Sequence, residues 1–289
     1  MTWYNNTWQC IDCNHEPQIV NSILQFASKI DSNYGFSDEF FPKLASLEDG
    51  HFWFESRNIL ILHVLRRFLP LNASFFEIGC GTGFVLGAVR RTFPTLAISA
   101  SEVSVVGLSV AKSRVSNVSF YQMDARNIPF REEFDAIGVF DVLEHIDDDS
   151  LAIRESFQSL KKGGILVLTV PQHQWLWSKT DEISHHHRRY SRKNLENKLI
   201  LAGFEIIYTN SLFFLLLPIV IIIRKIKYSL FSKKNAKEEV RIGCVYNKIC
   251  KLVMALELAL ILFGLRLPVG SSLVMVGRRP GGGGPAHWA

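Results

Sequence analysis

The sequence predicts an α/β fold: an open, mostly parallel sheet with helices on both faces and a helical insertion before its last strand. Three observations carry that reading. Short apolar runs alternate with stretches of helical spacing between residues 75 and 210, the rhythm of successive β-α-β units. The first run, Phe75, Phe76 and Ile78, feeds a turn with three glycines, Gly79-Cys80-Gly81-Thr82-Gly83, that opens a helix at Val85, Leu86 and Val89. The last two runs, 204–208 and 272–277, are separated by a long stretch of unlike composition.

Each element follows from its residues. Glycine at 79, 81 and 83 lets the backbone approach a ligand closely, and the helix beyond presents free N–H groups. Dinucleotide turns use G-x-G-x-x-G, because a pyrophosphate must seat on the helix end. Here the spacing is G-x-G-x-G with Glu77 just ahead, which suits a ligand with an amino group and no phosphate. The second strand, around Leu96-Ala97-Ile98, delivers Glu102, an acid placed to accept from the ribose hydroxyls of a nucleoside. The third, 118–123, delivers Asp124, placed to accept from an adenine amino group, with Ala125 beside it. The fourth, 134–140, ends at Phe140 and is followed by Asp141-Val142-Leu143-Glu144-His145. One strand-end carboxylate is ordinarily a solvated group. Three in succession on one sheet edge, beside a glycine turn, point to a ligand.

This motif set resembles the class I S-adenosylmethionine-dependent methyltransferases, over residues 51–210 plus the strand near 272–278. The resemblance implies a Rossmann-like, seven-stranded sheet and S-adenosylmethionine as cofactor. It places Glu77, Gly79, Cys80, Gly81 and Gly83 around the methionine part, Glu102 on the ribose, and Asp124, Ala125 and Phe140 at the nucleoside. Many relatives carry Asp where this chain has Glu102, which keeps the acceptor and lengthens its reach.

Composition fits a folded enzyme with a modest positive balance: net charge is +5 and the pI about 8.9. That charge suits an acidic substrate or a membrane surface and does not by itself imply nucleic acid. The fourth strand is followed by Asp-Val-Leu-Glu-His, not the Asp/Asn-Pro-Pro-aromatic signature of nucleic-acid amine methylation, which makes nucleic acid an unexpected partner. No signal peptide is read in the first residues, and five scattered cysteines form no disulfide framework, so the expected location is cytoplasmic. Cys10-Ile11-Asp12-Cys13 is half of a zinc pattern without a second half at a suitable spacing, and reads better as a loop. A short amphipathic helix is expected over 18–29. A longer one follows His51-Phe52-Trp53-Phe54-Glu55-Ser56-Arg57-Asn58. It either packs beside the sheet or brings Trp53 and Arg57 over the cofactor, Arg57 reaching the cofactor's carboxylate.

Acids at 147–149 start a helix that stops at Lys161-Lys162-Gly163-Gly164, and strand 165–170 follows. The long connection after Pro171 belongs on the ligand face, outside the C-terminal strand ends. It carries His173, Trp175, Trp177 and the run His185-His186-His187-Arg188-Arg189-Tyr190. A bacterial subgroup of these methyltransferases is similar at 52–58, 170–177 and 186–190. Methylation of a hydroxyl needs alignment and a base, and His145, His173 and His186 are the candidates. The competing reading of the histidine run is a solvated loop or a structural Arg-Tyr clamp. Asp141, Glu144 and His145 also resemble the metal set of ubiquinone-biosynthesis O-methyltransferases; the sequence is read here without a metal, since Asp-Val-Leu-Glu-His recurs in relatives that hold none.

A helix over 192–202 and a sixth strand at 204–208 complete the regular part. The insertion has an apolar run, 212–223, broken by Pro218, then Arg224, Lys225, Lys227, Lys233, Lys234 and Lys237, then an apolar helix 252–265 with Glu257 inside it. Neither run reaches the roughly 20 residues needed to span a bilayer. They pack as a helical subdomain or lie at an anionic membrane surface, at the inner face of the membrane. The chain thus divides into an N-terminal extension (1–50), the core (51–210), the insertion (211–268), a last core strand (269–280) and a tail (281–289). The expected activity is methyl transfer to a small-molecule or lipid-linked acceptor, O-methylation with a histidine base. The alternative is a non-catalytic cofactor-binding subunit of a membrane-associated complex.

Overall fold

A computed structural model describes residues 2–4, 7–9, 16–21, 23–26, 38–222 and 243–281. The CxxC stretch, the basic run 224–237 and nearly all of the tail lie outside the described residues. A two-stranded ribbon, β1 (Thr2–Tyr4) and β2 (Thr7–Gln9), precedes the main sheet. The sheet strands in chain order are β3 (Gln18–Val20), β4 (Ile23–Gln25), β5 (Ser74–Ile78), β6 (Ala97–Glu102), β7 (Ser119–Gln122), β8 (Phe134–Phe140), β9 (Leu160–Pro171), β10 (Glu205–Leu212) and β11 (Ser272–Arg278). The helices are α1 (Phe40–Glu48), α2 (Phe52–Phe68), α3 (Phe84–Thr92), α4 (Val105–Arg114), α5 (Asp149–Ser159), α6 (Lys179–Ile183), α7 (Arg192–Leu201) and α8 (Cys244–Leu262).

Strand order across the sheet is β10-β11-β9-β8-β5-β6-β7-β4-β3. Ladders from β9 to β7 are parallel, whereas β11 is antiparallel to both β9 and β10. From β5 the chain first winds outward through β6 and β7, then returns to place β8 on the other side. That reversal leaves a crevice at the C-terminal ends of β5 and β8.

Alternation along the strands builds two cores. Phe75, Ile98, Ala136 and Val167 face one layer with α2, α3 and α4. Phe76, Ile137, Leu166 and Leu168 face the other, with α5 and α7. Phe75 and Phe76 are adjacent and both fully buried, as a parallel sheet covered on both faces requires.

Three expectations are corrected. Where a helix is expected over 18–29, the described residues among them form the hairpin β3–β4, with Asn21 at φ 52°. Ile19, Val20 and Ile23 are β-branched, and Ile23 buries against the sheet. The hairpin pairs with β7, so the described sheet has nine strands where seven were expected. The helix does end ahead of Lys161, but the strand expected at 165–170 begins at Leu160, so Lys161 to Gly164 already belong to a long β9, with Gly163 at φ 81°. Lastly, α8 begins at Cys244, eight residues ahead of the expected start at 252, because Asn247 and Lys251 anchor its first turns to α2. Asn247 accepts from Phe52 N (2.9 Å) and donates to Gly50 O (2.8 Å), and Lys251 pairs with Glu55 at 2.7 Å. Glu257, buried inside α8, accepts from Phe214 N and Leu215 N at 3.1 and 2.8 Å, which explains an acid in an apolar helix.

Candidate active site

The three glycines all adopt left-handed backbone, at φ 69°, 53° and 76° for Gly79, Gly81 and Gly83. A β-carbon at Gly79 would sit 2.5 Å from Val142 Cγ2, and one at Gly83 would sit 3.0 Å from Ala111. At Gly81 it would meet nothing within 4 Å. Two glycines are therefore needed for packing as well as backbone, and the middle one faces open space. Cys80 N donates to Ser101 O at 2.9 Å, tying the turn to β6.

The open space is a cavity of about 490 Å³ at the crevice. Arg57, Glu77, Gly79, Cys80, Gly81, Glu102, Asp124, Ala125, Phe140, His145 and His186 all contribute to its wall. The structure thus brings together residues spread over more than a hundred positions. Gly83 and His173 are the two expected site residues outside that wall. His173 sits at φ 66° with its ring stacked 5.1 Å from Trp175.

Glu77, Glu102 and Asp124 all line the cavity, each in a different environment. Glu77 is 2% exposed and its Oε2 has no hydrogen-bond partner. Burial pushes it up to about 8, against the pull of Arg57. Glu102 is turned toward backbone: Oε2 accepts from Gly81 N (2.9 Å), and Oε1 from Val103 N (2.8 Å) and Ser104 N (3.1 Å). Burial raises it, and those three bonds partly offset the rise. Asp124 is only half-buried and is gripped by its near neighbour Arg126, Nη2 to Oδ2 at 2.6 Å. Burial pushes it up, but the Arg126 bonds outweigh that and hold it below its usual value.

On the opposite wall, α2 points Arg57 inward. Its guanidinium lies 4.5 Å over the Trp53 ring and pairs with Asp141, a residue held at φ 53°. Burial lowers Arg57 to about 10, so it stays charged at neutral pH, and Arg57 Nε has no partner. Trp53 in turn stacks on Phe213, with centroids 6.1 Å apart. Because of its ion pair, Asp141 does not join Glu144 and His145; His186 stands there instead, and the three donor atoms lie within 4.8 Å of one another. Glu144 is pushed up to about 8 by burial. His145, depressed to about 3 by burial and then by neighbouring His186, is neutral. The His145 and His186 rings meet edge to face at 4.7 Å.

Residues 76–168 match the family model described as "Methyltransferase domain". That stretch of the chain is thus similar to methyltransferase domains. Over 113 residues, 38% of this chain and 42% of the relative, the chain is 33% identical to the malonyl-[acyl-carrier protein] O-methyltransferase of Bacillus anthracis. It is also 33% identical over 93 residues to the demethylmenaquinone methyltransferase of Thermotoga maritima, covering 32% of this chain and 41% of that one. The chain therefore spans less than half the length of these curated relatives. Among solved structures, Haemonchus contortus phosphoethanolamine N-methyltransferase 2 in complex with S-adenosylmethionine superposes with a TM-score of 0.50, over 78% of this chain and 52% of that one at 17% identity. The ligand bound in that neighbour is S-adenosylmethionine. The lining fits that group: an unpartnered buried Glu77 oxygen and an unfilled Gly81 face suit a ligand bearing an ammonium and a sulfonium.

Sequence reasoning missed several wall residues. Glu48 of α1, buried, accepts from Thr82 Oγ1 at 2.6 Å and pairs with Arg114, so α1 clamps the glycine turn. Asp181, fully buried on α6, is another. Its signal was the spacing Ser178-x-x-Asp181, which forms a capping box at α6.

Proposed function

We propose that this chain transfers the methyl group of S-adenosylmethionine to a hydroxyl of a small-molecule or lipid-linked acceptor. The observation that carries the reading is the acid-lined cavity over the glycine turn, with Glu77 short of a partner at its floor. Arg57, backed by Trp53, would hold the methionine carboxylate; Glu77 its ammonium; Glu102 the ribose; Asp124, Ala125 and Phe140 the adenosine end. The cofactor supplies an electrophilic methyl group. The chain's own residues align the acceptor, exclude water and take up its proton. Of the three candidate histidines, His186 is best supported as base. His173 is outside the wall, and His145 is held at about 3, too low to keep a proton at neutral pH. The kinship with an O-methyltransferase and a quinone-type methyltransferase supports a hydroxyl-bearing or apolar acceptor.

The residue ranges 1–50, 51–210, 211–268, 269–280 and 281–289 are proposed as extension, core, insertion, last strand and tail. No helix among the described residues is long and apolar enough to cross a membrane. The exposed side of α8 instead presents Val245, Ile249, Leu252, Leu256 and Leu260, with Phe263 just beyond it. This face is proposed to rest on an anionic bilayer surface, aided by the basic run 224–237. The test is methyl-labelled S-adenosylmethionine with separate soluble and lipid extracts. Label in the lipid fraction, together with co-sedimentation on anionic vesicles at low salt, supports the reading. Tight cofactor binding without label in either fraction would leave a binding subunit and overturn the enzyme reading.

A further inference from the structure

We propose that Asp181 is a positioning residue: it fixes the His186 ring so that Nδ1 carries the proton and Nε2 is left to accept one. The proposal rests on His186 being the base. Asp181 is fully buried on α6, whose N-terminal capping box it closes. Its Oδ2 accepts from Ser178 N at 2.8 Å and from Ser178 Oγ at 3.0 Å. Its Oδ1 accepts from Arg189 Nε at 2.7 Å and stands 2.9 Å from His186 Nδ1. Its backbone carbonyl also accepts from His186 N at 2.8 Å. One carboxylate thus ties together three points of the connection between β9 and α7.

The donors around Asp181 decide the tautomer. A carboxylate is an acceptor only, so its partner at 2.9 Å must be an N–H. With Nδ1 protonated, neutral imidazole carries its lone pair on Nε2. Burial opposes its charge, but the His186 hydrogen bond and then Arg189 hold Asp181 well below the ordinary carboxylate value, so it stays ionised. Asp181 therefore orients the ring without taking its proton, the logic of a buried acid behind a histidine base. Lining the cavity beside His186 are Glu144 and His145, both held neutral near pH 7 by burial. In the proposed step the acceptor O–H bond breaks, its proton passes to His186 Nε2, and the oxygen lone pair forms the new C–O bond as the sulfonium C–S bond breaks.

A purely structural Asp181 would hold the loop and leave the tautomer to chance, so the test reads the ring itself. ¹⁵N-histidine spectra of the full chain at mildly alkaline pH should show the His186 ring with Nδ1–H and an unprotonated Nε2. In Asp181→Asn the amide presents one acceptor fewer to these donors, and the Nε2–H tautomer should take over. Label transfer from S-adenosylmethionine into the accepting extract should fall about 10²- to 10⁴-fold, with cofactor affinity within twofold. Ser178→Ala removes a donor to Asp181 but none from His186, and should cost less than threefold. Wild-type His186 protonated on Nε2 would overturn the proposal whether or not the variant folds. Equal losses for Ser178→Ala and Asp181→Asn would overturn it too, leaving a structural tie. Should chelation abolish turnover and a divalent metal restore it, Nε2 is a metal donor and the proposal fails. If His186→Ala keeps full turnover while the wild-type ring is Nδ1–H, it is the base reading that fails, and the geometry of Asp181 stands.

Discussion

Alanine at Gly79 and at Gly81 should separate packing from ligand binding, although both glycines share one turn and one backbone region. Each substitution forces a β-carbon into left-handed backbone, at φ 69° and 53°, which costs about 1–2 kcal/mol. At Gly79 the new carbon also lies 2.5 and 2.9 Å from the two γ-carbons of Val142. Overpacking of that kind adds about 1–3 kcal/mol, so Gly79→Ala should lose about 2–5 kcal/mol of stability in all. Gly81 faces open space, so its alanine should lose only the backbone part. The methyl group of Gly81→Ala instead intrudes on the cavity, and cofactor affinity should fall roughly 5- to 100-fold, the equivalent of about 1–3 kcal/mol. Urea unfolding measures the first quantity and titration calorimetry with S-adenosylmethionine the second. Val142→Ala removes both clashing γ-carbons, and a double-mutant cycle with Gly79→Ala should recover about 1 kcal/mol or more. Wild-type affinity in Gly81→Ala would refute the reasoning, because the turn would then not touch the ligand.

Other outcomes follow from the same site. Glu77, at about 8 in the free protein, is mostly neutral at pH 7 and should ionise against a cationic ligand. Cofactor affinity should therefore rise from pH 6 to 8, with proton release visible as a buffer dependence of the binding enthalpy; Glu77→Gln should flatten both. Glu77 and Glu144 are both raised in the fold, so their contribution to stability is fully present below about 4.5 and is lost as pH rises through about 8. Urea midpoints should accordingly fall between pH 6 and 8.5. Glu257→Ala leaves the N–H groups of Phe214 and Leu215 without their acceptor and should cost about 1–3 kcal/mol, read by the same unfolding assay.

The sheet and the face that carries the cavity were legible because their signals are local. A glycine turn directly after Ile78, and acids directly after successive strands, declare themselves within a few residues. What escaped depends on contacts between distant parts of the chain. Arg57 and Asp141 are 84 positions apart, and Asn247 reaches back 195 positions to Phe52. Nothing around Arg57 says that its partner is a strand-end carboxylate as well as any ligand. Glu102 stands on the cavity wall at the end of its strand, yet that it spends lone pairs on Gly81, Val103 and Ser104 needs the turn's geometry. The β3–β4 hairpin was read as a helix because its apolar spacing fits both periods over so short a run, and only pairing with β7 decides between them. His173 and His186 looked equivalent as sequence, and it is the fold of the connection around Asp181 that sends one into the cavity and the other away.

The most direct measurement is transfer of label from methyl-labelled S-adenosylmethionine to soluble and lipid extracts by the wild-type chain, with His186→Ala alongside. The account predicts label in an extracted acceptor with wild type, strongest in the lipid fraction, and a loss of about 10²-fold or more in the variant. No transfer by a wild-type chain that binds the cofactor tightly, or undiminished transfer by His186→Ala, would contradict it.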